Sequence, residues 1–200
     1  MHFSDEEGNY AVNLARDTIH ATTKDEKLES RRLPKSFLDN YGVFTTINTF
    51  PSLQLRGCIG IPEPIMPLGK AIVRSAASAA KEDPRFPRLK PGELERVVTE
   101  VSLLTNPELV EVKKSSDYLK KIVVGRDGIL LRSTFRSGLL LPQVPVEQRW
   151  NIKRYLSGIC EKSGLKGNCW KNDDVKLYTF QAEIFHELSP GGDIKRKIIG

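Results

Sequence analysis

The chain has 200 residues, a formal net charge of +6, 39% hydrophobic and 28% charged residues, a balance that excludes a disordered polymer and fits one folded domain with a substantial core. No apolar run reaches the roughly 20 residues needed to span a bilayer, and the opening Met1–Glu7 lacks the basic flank and apolar core of a signal segment, so a cytoplasmic protein without membrane association is expected. Three cysteines, with His2, His20 and His186, offer neither a disulfide framework nor a metal-ligand spacing, so no metal is expected and no cofactor is specified.

Ser4 and Glu7 have capping-box spacing, and Ala11, Leu14, Ala15, Thr18, Ile19 and Thr22 form one stripe of an amphipathic first helix. Charge-rich residues 24 to 35 read as a loop closed by Pro34. Val43–Phe50 and Leu53–Gly60, parted by Pro51 and Ser52, predict an antiparallel hairpin. Leu68, Ala71, Ile72, Ser75, Ala76, Ala79 and Ala80 recur at helical spacing, and Asp83–Pro84 must end that helix. Val97–Leu104 alternates as a strand that carries Glu100 among apolar neighbours. Gly125–Gly128 predicts a turn between strands at Ile122–Val124 and Ile129–Arg132, with Leu139–Leu141 continuing a meander. Asn151 caps a helix carrying Ile152, Tyr155, Leu156, Ile159 and Cys160, closed by Gly164, and Val175–His186 reads as one last strand.

Strands joined mainly by hairpins, with helices interspersed, predict an α+β fold: a mostly antiparallel sheet with flanking helices, in two lobes with a cleft between them. Neither a dinucleotide-binding glycine fingerprint nor a phosphate loop is present. Residues 1–187 are expected as a single two-lobed domain and 188–200 as a mobile tail, since the tail has little apolar content.

The stretch Gln54–Gly60 carries the chemistry. On an extended strand Gln54, Arg56 and Cys58 share one face, while Leu53, Leu55 and Ile59 point into a core; Gly57 and Gly60 leave room for a ligand to approach the backbone. Cys58 is then a candidate nucleophile, but a free thiol, with a pKa of about 8.5, needs activation. Arg56, about 7 Å away, supplies about 2.4 kcal/mol at an effective dielectric of 20 and about 0.6 kcal/mol in water. Only a sheltered site makes the thiol reactive; otherwise Cys58 is a small core filler and Arg56 a surface partner of Glu100 or Asp83. Glu100 is either half of an ion pair, with Arg56 or Arg85, or a general base. Asp83 reads as a turn or cap residue, Arg85 as a rim residue, and Gln143 as an amide donor to a ligand or a strand cap. Cys160 and Cys169 read as core.

The hexapeptide Leu55–Gly60 resembles the signature of the AMMECR family. Further blocks agree in order: Gly42–Phe44, Pro67–Leu68, Asp83–Pro87, Glu100–Ser102, Leu140–Val144, Trp150 and Lys162–Leu165. The resemblance spans residues 42 to 187 and departs at Arg88, where a second proline is expected, and at Asp127, where a histidine is common. It implies a two-lobed α+β domain of no established activity, working alongside Memo-type and radical-SAM proteins.

Together these features predict a protein that binds a small polar or anionic ligand, or a modified side chain, at Arg56 and Cys58, with thiol chemistry open to it. Two alternatives stand beside that reading. One is a basic nucleic-acid binder using Phe44, Phe86 or Tyr178 as stacking groups; the other is a non-catalytic adaptor for a Memo-type or radical-SAM partner.

Overall fold

The computed structural model describes residues 3–199, so His2 lies outside the described residues. In chain order the first elements are α1 (Asp5–Lys24), β1 (Gly42–Thr49), β2 (Leu55–Ile61), α2 (Leu68–Lys81), β3 (Val97–Leu104) and β4 (Glu108–Leu109). They are followed by α3 (Tyr118–Lys121), β5 (Gly128–Arg132), β6 (Ser137–Leu140), α4 (Gln143–Glu147), α5 (Ile152–Lys162), β7 (Lys176–Phe180), β8 (Ala182–Glu187) and β9 (Ile194–Lys197). The fold is α+β, and the described residues divide into two compact units, residues 3–104 with 183–197, and residues 105–182 with 198–199.

The first unit is a five-stranded sheet in the order β2-β1-β3-β8-β9, with α1 and α2 against it. The Ser4 hydroxyl accepts the Glu7 amide and the Glu7 carboxylate accepts the Ser4 amide, the reciprocal cap its spacing predicts. Val43, Ile47, Val101 and Leu103 pack with Leu14, Ile19, Leu68 and Ile72 in one buried cluster. Each large aliphatic side chain contributes about 1.5–3 kcal/mol by burial. The alanines of α2 bury less area and act by letting backbones meet: a β-carbon at Gly57 would sit 2.4 Å from the Ala79 carbonyl oxygen.

The signature strand departs from simple alternation. Ile47 pairs with Gly57, but Asn48 pairs with Leu55, leaving Arg56 as an extra, bulged residue. This shift turns Leu55 onto the face of Asn48 and Thr46, away from the helices. Leu55 and Leu53, expected in the core, are instead 41% and 63% exposed, whereas Ile59 packs against the core. The bulge also breaks the two-residue period that would have set Arg56 beside Cys58.

The second unit is a four-stranded sheet, β4-β7-β5-β6, covered by α5. Ile129, Leu131, Leu156, Ile159 and Leu177 form its core with Tyr155, whose hydroxyl donates to the carbonyls of Asp127 and Leu140. Residues 122–124 form no strand, because the Asp127 carboxylate takes the Val123 amide and the Asp127 amide bonds back to the Val123 carbonyl. The predicted meander is therefore replaced by β5 pairing with β6 on one side and β7 on the other.

Two other expectations change. Residues 175–186 are two strands in different sheets, parted at Gln181, whose amide and carbonyl are both taken by Thr105. Within the expected tail, Ile194–Lys197 forms β9 along β8. Ionic anchors replace the missing apolar ones there: Arg196 binds Asp5, Glu183 and the Phe3 carbonyl. Cys160 and Cys169 are buried, as expected, but they are joined in a disulfide across nine residues, which the absence of a close spacing had argued against.

Candidate functional site

β2 is an edge strand, so its outward backbone groups have no neighbouring strand to pair with. At Cys58 the turn after α2 supplies partners. The Cys58 amide donates to Asp83 Oδ2 at 2.8 Å, and Arg85 Nη2 donates to the Cys58 carbonyl at 3.2 Å. Asp83, 4% exposed, also accepts the Arg85 amide and grips the Arg85 guanidinium through Nε at 2.9 Å and Nη2 at 2.7 Å. That guanidinium holds the Asp83 carboxyl well below the usual carboxylate range, and the Cys58 and Arg85 amides act in the same direction. Asp83 is thus the turn residue expected, and it also closes a sheet edge.

Because an outward amide at Cys58 means that Thr46 and Cys58 face each other without exchanging hydrogen bonds, the Phe44–Gly60 pair two residues on has the same parity. The N–H and C=O of Gly60 therefore also point off the sheet edge, where no such partner meets them among the described residues. Beside them lies a cavity of about 410 Å³ between β2 and α2, walled by Ile59, Gly60, Ile61, Ser75 and Ser78 and carrying Arg74 and Glu63. Ser75 is committed to Thr45 and the Ile72 carbonyl, and Ser78 to Glu82. The exposed guanidinium of Arg74 makes no hydrogen bond among the described residues. Gly60 itself accommodates an aromatic ring, since a β-carbon there would lie 2.3 Å from the Phe44 ring.

The thiol of Cys58 faces away from the helices, with Thr46 and Glu100 in register across the three strands. Thr46 Oγ1 donates to the sulfur at 3.4 Å. Burial pushes the thiol pKa up; the Thr46 hydrogen bond and the Arg85 charge oppose this, while Asp83 and Glu100 add to it. The net direction disfavours the thiolate relative to an exposed cysteine. Glu100 pairs with Lys197 at 3.1 Å, and neither Arg56 nor Arg85, the partners weighed for it, is its partner.

Arg56 lies elsewhere. Its Nε and Nη2 bind Glu93 at 2.8 and 3.1 Å, and its remaining donors reach the Pro87 and Arg88 carbonyls. A guanidinium so occupied is a staple between the bulge and the 87–93 loop, not a free anion clamp. Gln143 begins α4 in the second unit, and its buried Oε1 has no partner among the described residues. Sequence reasoning missed Arg74, masked by its place on a regular helix, and Glu93, whose only signal is its position three residues after Lys90. It also missed the buried Arg16–Glu187 pair at 2.8 Å, in which Glu187 takes the Thr99 amide as well.

Among the described residues no group of three or more His, Cys, Asp or Glu side chains gathers to hold a metal, and no helix is long and apolar enough to cross a membrane. Residues 12–185 match the AMMECR1 family model. The chain is 46% identical over 192 residues to Protein MJ0810 of Methanocaldococcus jannaschii, covering 96% of each. It is 47% identical over 189 residues to a Methanococcus aeolicus protein, covering 94% of this chain and 95% of that one. The crystal structure of an uncharacterized protein, PH0010 from Pyrococcus horikoshii, superimposes with a TM-score of 0.91 at 44% identity, covering 98% of both chains.

Proposed function

This chain belongs to the AMMECR1 family, and from that premise we propose that it binds a small anionic ligand, a carboxylate or phosphate, in the cavity beside the signature strand. The observation that carries this reading is the meeting, in about 410 Å³, of the outward Gly60 amide with the uncommitted Arg74 guanidinium. The volume falls in the ordinary range for small-molecule sites, roughly 300–1,000 Å³. An amide donor and a guanidinium are the two groups that hold an oxyanion best. Ile59, Ile61 and Ile65 supply apolar wall for the body of the ligand. The roles first expected of Arg56 pass to Arg74, and Asp83 and Arg85 act by fixing the strand. Titrating the labelled protein with benzoate and with inorganic phosphate tests this. Saturable shifts of the Gly60 amide, lost in Arg74→Ala, support it; an unmoved Gly60 amide, or equal binding by Arg74→Ala, overturns it.

A second reading, thiol chemistry at Cys58, draws support from the Thr46 hydroxyl, which donates to the sulfur and would steady a thiolate. Glu100 as base would have to act through Thr46, because backbones two strands apart are about 9.6 Å distant. An adaptor role toward a Memo-type or radical-SAM protein draws support from Phe50, Leu53 and Leu55, three exposed apolar side chains around one hairpin tip. Nucleic-acid binding draws less: Arg31, Arg196 and Lys197 are paired with carboxylates, and Arg85 and Arg132 already lie over the rings of Phe86 and Tyr178.

A further inference from the structure

The second unit holds a cavity of about 570 Å³ whose lining contains no carboxylate. Lys153 and Ser157 enter it from successive turns of α5, Asn168 and Lys171 from the helical turn at residues 169–171 and its cap, and Ser115 from the turn before α3. The side-chain polar atoms of Ser115, Lys153, Ser157 and Asn168 have no hydrogen-bond partner among the described residues. The Lys171 ammonium is held over the Trp170 ring, 5.2 Å from its centroid, and the indole itself is 8% exposed. The Cys160–Cys169 disulfide ties this turn to α5, so the donors on the two elements are fixed relative to one another.

We propose that this cavity binds the phosphate group of a small phosphorylated organic molecule. Two ammonium groups call for an anion, because the carboxylate that borders the cavity, Glu161 beside Gly167, is already paired with Arg154 at 2.8 Å. Hydroxyl and carboxamide donors around them suit the several acceptor oxygens of a phosphomonoester better than the two of a carboxylate. Trp170 and Leu119 add an apolar wall, which an inorganic ion would leave unused and the organic body of an ester would cover.

The probe is phenyl phosphate, titrated at constant ionic strength into the labelled full chain with its disulfide intact, with inorganic phosphate and benzoate run alongside. In the Arg74→Ala background, which removes binding at the Gly60 cavity, expected are saturable shifts confined to the amides of residues 115, 157, 167–168 and 171 and to the Trp170 indole, with phenyl phosphate tighter than either control. Lys153→Ala with Lys171→Ala should weaken binding at least about tenfold. Both lysines are exposed, so the fold should survive; Ser157→Ala provides a milder variant and should weaken binding severalfold. Absence of saturation, shifts spread over lysines throughout the chain, equal affinity for benzoate, or an unchanged affinity in the double variant each overturn the assignment.

Discussion

Asp83 accepts the amide of Cys58 at 2.8 Å from a position 25 residues further along the chain. One carboxylate thus stands in for a neighbouring strand at the edge of the five-stranded sheet, and one arginine, Arg85, both neutralises that carboxylate and covers the adjoining carbonyl. The Asp83–Pro87 block and the signature strand are a single structural unit. Two residues further on, the same edge is bare at Gly60.

Asp83→Asn should destabilise the protein by about 2 kcal/mol near neutral pH, since it removes a buried, charge-assisted acceptor. The Asp83 carboxyl titrates lower in the folded protein than in the unfolded chain. Its stabilisation is therefore complete above the unfolded value of about 3.9 and disappears as pH falls toward the folded one. Urea unfolding from pH 7 down to pH 3 should show the gap between wild type and variant narrowing; a gap constant with pH would detach the effect from the carboxylate.

Cys58 is the chain's free thiol, and its pKa is raised by burial. Alkylation with iodoacetamide should be slow at pH 7, with a midpoint above the roughly 8.5 of an exposed cysteine. A midpoint below 7 would restore the nucleophile reading with its activated thiolate.

Gly57→Ala should cost about 1–3 kcal/mol, because the new methyl group meets the backbone carbonyl of Ala79, which is held in a helix and cannot swing aside. Gly92→Ala is the control. Nothing lies within 4 Å of a β-carbon there, so thermal melting should show no loss, and a gain of up to about 1 kcal/mol from the stiffer unfolded chain.

How much of this is legible in the sequence follows from the range of the interactions. The first helix, the hairpin and the helix over 68–81 are set by local caps and periodicity, and Ser4, Pro51 and Asp83 mark their ends in the sequence. The bulge at Arg56 is not written locally, because it depends on the register with Ile47 and Asn48, and it reassigns both Arg56 and Leu55. Glu93 and Lys197 are invisible as the partners of Arg56 and Glu100, since they stand 37 and 97 residues away from them. The break at Gln181 is hidden because 175–186 is uniformly strand-forming and only its bonds to Thr105 divide it. Arg74 is one of three cations on a small-residue helix, with Lys70 and Lys81, and its value comes from the strand edge it faces.

Replacing Cys160 and Cys169 by serine should lower the stability of the second unit by about 2.7 kcal/mol, the loop-closure entropy of a ring of roughly 10 residues. Equilibrium unfolding of oxidised protein against the double variant measures it. An unchanged midpoint would mean that packing of the helical turn at Trp170 alone holds this segment.

Hydrogen exchange at two amides of the signature strand tests the central claim most directly. With no ligand added, the Cys58 amide should be strongly protected and the Gly60 amide should exchange rapidly; Asp83→Asn should release Cys58, and saturating phosphate or benzoate should protect Gly60 unless Arg74 is replaced by alanine. Equal protection of the two amides in the free protein, or a Gly60 amide indifferent to every anion, would contradict an edge closed at one residue and open to ligand at the other.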